Sequence, residues 1–167
     1  VISIGFVLRA VCGAVVIRVA ISPWLFICMF TLFLFMGFCK RYNEVVTLTE
    51  QGQAENHRPT LHVYSRELLT HLITLSAGIA VMSFLMYGLS PTTVRQFGTY
   101  EFVYTLPLVI YAVFRFAMLS MRGVYADPTD LILRDRPFQV TAALWLAAAI
   151  VIVRWGEEIQ RYVEGLY

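Results

Sequence analysis

Five long apolar runs constrain the fold of this chain more than any other feature of its sequence. They lie at approximately Ser3–Ile21, Trp24–Cys39, Leu68–Leu89, Tyr100–Met121 and Phe138–Trp155. Each is long enough to cross the roughly 30 Å hydrocarbon core of a bilayer as a helix, in which the backbone satisfies its own hydrogen bonds. The chain is 59% hydrophobic and only 14% charged, so it would expose large apolar patches in water. We therefore predict an all-α polytopic membrane bundle of about five transmembrane helices, with residues 1–167 forming a single domain.

Short turn-forming sequences mark the expected ends of these helices. Serine is a good N-cap and proline fits the first helical turn, so Ser22-Pro23 indicates a tight hairpin between the first two helices. We expect the second helix to continue past Cys39 into the polar residues that follow. Ser65 is predicted to cap the third helix, and the last helix is predicted to start at Asp135-Arg136-Pro137.

The longest polar stretch, Lys40–Tyr64, reads KRYNEVVTLTEQGQAENHRPTLHVY and is predicted to be a loop held by the helices. A short connection is expected at residues 90–98, a second polar segment at Arg122–Arg136, and an interfacial tail after Trp155. The side that holds Lys40–Arg66 and Arg122–Arg136 carries more basic residues than the opposite side, which has Arg95, Arg154 and Arg161, with Arg18 near that end. This excess predicts that both long segments lie in the cytoplasm. The net charge of +2 is too small to indicate a nucleic-acid partner.

Polar residues inside the apolar runs are candidates for a site, because charges in a membrane are costly and usually face the bundle interior. Arg9 lies between two glycines, each one turn away. In the fourth run the residues within about 40° of each other on a helical wheel are Tyr104, Tyr111, Arg115 and Arg122. This predicts a polar stripe along one helix, and replacement of Arg115 by leucine is expected to leave the protein folded and inserted. The alternative is that each arginine only satisfies a backbone carbonyl or a lipid phosphate.

The polar stretch contains a second set of candidates. Lys40, Arg41 and Glu44 stand at one-turn spacing, and Arg58 and Tyr64 follow later in the stretch. Arginine binds phosphate with two parallel hydrogen bonds and lysine acts as a point charge, so these cations suit a phosphorylated ligand. The alternatives are an exposed Lys40–Glu44 pair and ordinary surface residues.

Metal binding has less support in the sequence. A zinc pair formed by His57 and His62 lacks a cysteine or a third histidine beside it. The carboxylates of Asp127, Asp130 and Asp135 suit Mg²⁺, but helix capping and turn formation explain the same Asp-Pro and Asp-Arg-Pro contexts. Both readings of the aspartates remain open at this point.

Several motifs together resemble a known family. They are GFVLRAVCGA at Gly5–Ala14, SPWLFICMFTLFLFMGFCKRYNE at Ser22–Glu44, HRPTLHVYS at His57–Ser65, LPLVIYAVFRF at Leu106–Phe116 and DPTDLILRDRP at Asp127–Pro137. They are similar to the second half of membrane prenyltransferases of the UbiA superfamily, and specifically to the branch that transfers phosphoribose to decaprenyl phosphate. The KRYNE, HRP and YS combination is the most specific part of this resemblance.

The resemblance implies a nine-helix bundle of which this chain forms helices five to nine, in a bacterial plasma membrane. It implies Mg²⁺-dependent transfer of 5-phosphoribose from phosphoribosyl pyrophosphate to a polyprenyl phosphate, with the prenyl chain held by apolar faces. The catalytic residues implied are Lys40, Arg41 and Glu44. The substrate-binding residues implied are Arg9, Arg58, Tyr64, Tyr104, Tyr111, Arg115 and Arg122, and no metal ligand is assigned within this chain.

One departure from the family matters for the prediction. Its first motif, NDxxDxxxD, is absent, since the chain contains no Asn-Asp pair, and its first residue is valine. We therefore expect that upstream helices or a partner chain supply this motif and most Mg²⁺ ligands, and that this chain alone is inactive. Two alternatives are kept: a UbiA-type enzyme that prenylates an aromatic or lipid acceptor, and a subunit of a membrane anion transporter.

Overall fold

The computed structural model describes residues 22–50, 65–97, 100–125 and 128–164, together with Gly5. Helices account for the regular structure of these residues, and no strand occurs among them. The helices are α1 (Pro23–Glu50), α2 (Arg66–Leu89), α3 (Pro91–Phe97), a 3₁₀ helix (Glu101–Thr105), α4 (Leu106–Met121), α5 (Pro128–Arg134) and α6 (Arg136–Glu164). The predicted all-α fold is confirmed.

Four helical segments are long and apolar enough to cross a membrane. They are Pro23–Thr47, Arg66–Leu89, Glu101–Met121 and Arg136–Trp155. They correspond to the last four apolar runs of the sequence, so the polytopic membrane architecture is confirmed for the described part of the chain. The first predicted span, Ser3–Ile21, lies outside the described residues except for Gly5.

The helix ends follow local sequence signals. Ser65 precedes α2, and its hydroxyl accepts a hydrogen bond from the Leu68 N–H at 3.1 Å, as predicted for an N-cap. Asp135 precedes α6 and accepts from the Phe138 N–H at 2.9 Å. After α4, Gly123 has a φ of +65°, and its N–H and that of Val124 bond carbonyls of the last helical turn. This glycine-dependent ending reverses the chain sharply at the end of α4.

The bundle is built on the antiparallel pair α1 and α2. The Cys28 thiol near the start of α1 contacts the Ala80 carbonyl in the second half of α2, at 3.5 Å. Helix α4 packs against both helices, and α6 packs against α4 and the 3₁₀ helix. The main core consists of the buried residues Phe35, Cys39, Tyr42, Leu69, Ile73, Ala77, Val113, Phe116, Leu119 and Leu131.

The polar segments meet at one end of this bundle, which we call the polar end. It comprises the C-terminal half of α1, the start of α2, the end of α4, α5 and the start of α6. The Asn43 side chain contacts the Tyr125 carbonyl there, whereas Ser22 and Ser90 contact each other at the opposite end. The prediction that both long polar segments lie on the same side is therefore supported, and its cytoplasmic assignment stays a prediction.

The predicted continuation of the second helix past Cys39 is confirmed, because α1 runs through Lys40 to Glu50 and the first part of the polar stretch is helical. Two connections also contain helices that the sequence analysis did not predict. The segment Arg122–Arg136 contains α5, and residues 90–98 contain α3. The continuation of α1 has a tertiary reason, because Tyr42 continues the buried face formed by Phe35 and Cys39 at helical spacing. Helix α6 likewise continues beyond Trp155 into the predicted interfacial tail.

Gly88 allows α2 to approach the 3₁₀ helix closely. A Cβ atom at this position would lie 3.3 Å from the Val103 Cγ2 atom and 3.5 Å from the Val103 backbone nitrogen. We expect Gly88→Leu to destabilise the bundle by about 1–3 kcal/mol through overpacking. Gly78→Leu is the matched control, since a Cβ at Gly78 meets nothing within 4 Å. Thermal unfolding in detergent measures both, and equal melting temperatures would contradict the close approach.

Candidate functional site

The KRYNE turn, Lys40–Glu44, lies within α1 at the polar end. Lys40 is exposed, and Arg41 donates to the Glu44 carboxylate at 2.5 Å, one turn further along the helix. Both members of that pair are about one-third exposed or more, so the pair adds little to stability. The structure thus brings the three predicted catalytic residues together on one turn, and it pairs Glu44 with Arg41.

Asn43, on the same turn, forms a hydrogen bond between α1 and the segment that follows α4. Its side chain is 5% exposed, and its Nδ2 atom donates to the Tyr125 carbonyl at 3.3 Å. Its Oδ1 atom is buried and has no hydrogen-bond partner among the described residues. Since Arg122 lies between α4 and Tyr125, this bond places Arg122 at the polar end, where its side chain is exposed.

The Asn43 bond can be tested by removing its donor. Asn43→Asp replaces the N–H group by a carboxylate that faces a carbonyl, so we expect it to lower the melting temperature more than Asn43→Ala at neutral pH. The difference between the two variants should narrow as the pH falls, because a protonated carboxyl group can donate again. Thermal unfolding at several pH values measures this. Equal stability of the two variants at neutral pH would contradict the bond.

Tyr42 faces the opposite partner, α2. Its hydroxyl accepts from the Arg66 Nε atom at 3.1 Å, and the Arg66 Cζ atom lies 5.7 Å from the centre of the Tyr42 ring. Sequence reasoning missed both residues. The signal for Tyr42 was the helical spacing from Phe35 and Cys39, which continues the apolar face of α1 into the KRYNE turn.

Arg115 has a protein partner that neither reading of the sequence anticipated. Its Nε and Nη2 atoms donate to the two carboxylate oxygens of Asp135, at 2.6 and 2.9 Å. The Arg115 side chain is 22% exposed and that of Asp135 only 8%. Arg115 and the Phe138 N–H both lower the pKa of Asp135, by donating hydrogen bonds to its ionised form. Helix capping by Asp135 is therefore confirmed, and the pair ties α4 to the start of α6.

The predicted polar stripe is wrong in part. Tyr104 lies in the 3₁₀ helix before α4 and is 82% exposed, and Arg122 follows the last residue of α4. The break precedes Pro107, which has no N–H group to donate to the preceding turn. A single helical wheel therefore does not describe this segment. Tyr111 remains near Arg115, with its hydroxyl 3.5 Å from the Arg115 Nη1 atom.

The structure does not describe the remaining candidate site residues. Arg9, Arg58 and Tyr64 lie outside the described residues, as do His57, His62 and Asp127. Their predicted roles stay predictions.

An apolar cavity of about 390 Å³, partly open to the outside, lies between α1, α2, α4 and α6. Leu25 and Cys28 line it toward one end of α1, and Phe116 and Phe138 line it toward the polar end. Because Phe116 follows Arg115 in sequence and the Phe138 N–H bonds Asp135, the Arg115–Asp135 pair stands at the polar end of this cavity. An interior of this composition suits a hydrocarbon chain with a charged headgroup at its polar end.

The carboxylates described at the polar end do not form a metal site. Glu44 is paired with Arg41, Asp135 with Arg115, and Asp130 lies 3.7 Å from Arg134. Within the described ranges, no three His, Cys, Asp or Glu side chains are grouped as metal ligands. The residues that the structure describes therefore do not fit Mg²⁺ by themselves.

These features define a polytopic all-α membrane protein with a cationic end and an apolar interior. No family model matches the chain. It is 30% identical over 156 residues to a decaprenyl-phosphate phosphoribosyltransferase of Mycobacterium tuberculosis, covering 93% of this chain and 50% of the relative. The enzyme of the same name from Mycolicibacterium smegmatis is 29% identical over 87% of this chain and 47% of the relative. The enzyme of the same name from Corynebacterium glutamicum is 28% identical over 91% of this chain and 45% of the relative.

The similarity extends over nearly the whole chain, which confirms the resemblance seen in the motifs. The chain spans about half the length of the curated relatives it matches.

Proposed function

We propose that this chain is part of a membrane transferase that moves 5-phosphoribose from phosphoribosyl pyrophosphate to a polyprenyl phosphate, with decaprenyl phosphate as the model acceptor. One observation supports the proposal above all: 93% of the chain aligns, at 30% identity, with a decaprenyl-phosphate phosphoribosyltransferase. The arrangement of the described residues supports it, because a cationic turn stands at one end of an apolar cavity.

In this proposal the two substrates approach from different phases. The prenyl chain lies in the apolar cavity, and the soluble sugar phosphate reaches the KRYNE turn from the cytoplasm. An oxygen of the lipid phosphate forms a bond to the anomeric carbon of the ribose, and the bond from that carbon to pyrophosphate breaks. Negative charge accumulates on the departing pyrophosphate. The cations of the KRYNE turn, Lys40 and Arg41, stabilise this charge electrostatically.

Mg²⁺ belongs to the proposal as a cofactor that neutralises pyrophosphate when bound. Its ligands would come mainly from outside the described residues, either from the rest of a longer protein or from a partner chain. The host membrane in this proposal is a bacterial plasma membrane, with the polar end in the cytoplasm, in agreement with the distribution of basic residues.

The test uses a chimera in which this chain replaces the matching half of the M. tuberculosis relative. Membranes that contain the chimera should incorporate labelled phosphoribose into lipid and release equimolar pyrophosphate, and the relative without its matching half is the control. Transfer of a prenyl group to an aromatic acceptor, or anion flux across sealed vesicles without chemical change, would contradict the proposal. Those outcomes would favour the two alternative functions.

A further inference from the structure

We propose that Arg66 is a phosphate-binding residue at the polar end, held in position by Tyr42. This inference deepens the proposed function, and it assigns Arg66 to the same site as the KRYNE turn. The group it recognises is a phosphate, carried either by the soluble sugar diphosphate or by the lipid acceptor.

The guanidinium group of Arg66 is oriented by one buried side chain. Its Nε atom donates to the Tyr42 hydroxyl at 3.1 Å, and its Cζ atom lies 5.7 Å from the centre of the Tyr42 ring. Tyr42 itself is 6% exposed and packed in the core, so the contacts are made to a rigid partner. An arginine held in this way loses less conformational entropy when it binds a ligand.

The two Nη groups of Arg66 remain available to a ligand as far as the described residues are concerned. The contacts to Tyr42 involve Nε and Cζ, and neither Nη atom has a hydrogen-bond partner among the described residues. The two Nη groups form the fork that donates parallel hydrogen bonds to phosphate oxygens. Since the Arg66 side chain is exposed, an approaching anion can reach this fork.

Among the residues that the structure describes, no carboxylate pairs with Arg66. Three other arginines of the polar end have carboxylate partners: Arg41 with Glu44, Arg115 with Asp135 and Arg134 with Asp130. A phenol hydroxyl carries no charge, so the contact with Tyr42 does not offset the positive charge of Arg66 beside the KRYNE turn. The geometry is therefore that of an oriented cation with an open fork, next to the turn proposed to receive the sugar diphosphate.

Three substitutions in the active chimera test this role. They change, one at a time, the positive charge of Arg66, its paired N–H donors and the Tyr42 hydroxyl that orients it. We expect Arg66→Gln to raise the KM for one phosphate substrate about tenfold or more, with a smaller change in kcat. Arg66→Lys keeps the charge but has no planar guanidinium to bond Tyr42 and donate two parallel hydrogen bonds to a phosphate, so it should restore less than half of the lost affinity. Tyr42→Phe keeps the ring and removes the acceptor, so a smaller rise in the same KM is expected. Arg134→Gln, at the same end, is the control and should leave both KM values unchanged.

The two sources of phosphate are distinguished by which KM rises, that for phosphoribosyl pyrophosphate or that for polyprenyl phosphate. A binding measurement that needs no turnover separates this inference from the proposed function. Inorganic pyrophosphate and detergent micelles containing polyprenyl phosphate are titrated against the chimera and its Arg66 variants. Loss of binding to either probe in Arg66→Gln supports the inference even if no transfer occurs. Unchanged binding with a lowered melting temperature would overturn it and leave Arg66 as a clamp between α1 and α2.

Discussion

Replacement of Arg115 by leucine is expected to lower the melting temperature of the bundle, because removing one member of an ion pair leaves the charge of the other without its partner. The substitution removes a cation from an apolar helix, which by itself eases insertion. However, it leaves the Asp135 carboxylate, which is only 8% exposed, without the two hydrogen bonds that Arg115 donates to it. The expectation from sequence alone, that this variant stays fully folded, therefore requires revision.

The double variant Arg115→Leu/Asp135→Asn tests whether the unpaired Asp135 carboxylate causes the loss of stability. Asparagine has no charge to bury and can still accept from the Phe138 N–H, so most of the lost stability should return. Thermal unfolding in detergent measures the three proteins. If the double variant is no more stable than Arg115→Leu, the loss comes from something other than the unpaired carboxylate.

The same pair predicts how stability depends on pH. Because the pKa of Asp135 is lowered in the folded protein, its contribution is present above the unfolded-state pKa of about 3.9 and is lost as the pH falls through the folded-state value. Asp135→Asn should therefore show less of this acid-dependent loss than the unsubstituted protein.

Activity of the double variant then decides whether Arg115 has a second role. If Arg115 only joins α4 to α6, restored stability should restore transfer. If it also contacts a phosphate, turnover stays low although the protein is folded, and the predicted substrate-binding role is supported.

Lys40→Met is expected to reduce phosphoribosyl transfer by about 10²–10³-fold while leaving the melting temperature nearly unchanged. Lys40 is exposed on α1 and stands on the turn that contains the Arg41–Glu44 pair. Methionine keeps the helix propensity and most of the volume, so the change removes mainly the positive charge. In the proposed reaction that charge acts on a pyrophosphate whose negative charge grows as it departs.

Labelled phosphoribose incorporation by the chimera measures the Lys40 effect, with thermal unfolding in parallel. Arg95→Gln is the matched control, because Arg95 is an exposed cation on α3. Near-normal transfer by Lys40→Met would remove Lys40 from the site. A fall in transfer together with a similar fall in stability would assign it a structural role.

Much of the architecture could be predicted because it depends on local sequence. Apolar length determines which segments can span a bilayer, and the last four runs correspond to the four observed spans. The Ser65 cap and the start of α6 at Asp135 depend on residues three positions apart. Lys40, Arg41 and Glu44 also fall within about one turn of a single helix, so they were neighbours once α1 continued through them.

The partners of the polar residues depended on tertiary structure. Asn43 and Tyr125 are 82 positions apart, Arg66 and Tyr42 are 24 apart, and Arg115 and Asp135 are 20 apart. Each bond forms because helix packing brings two ends together, and no spacing rule within one helix can specify that. The sequence by itself determined an all-α membrane bundle with its charged segments at one end. Only the packing of α1, α2, α4 and α6 decided that Arg115 is neutralised by a carboxylate and that Arg66 is oriented by a phenol.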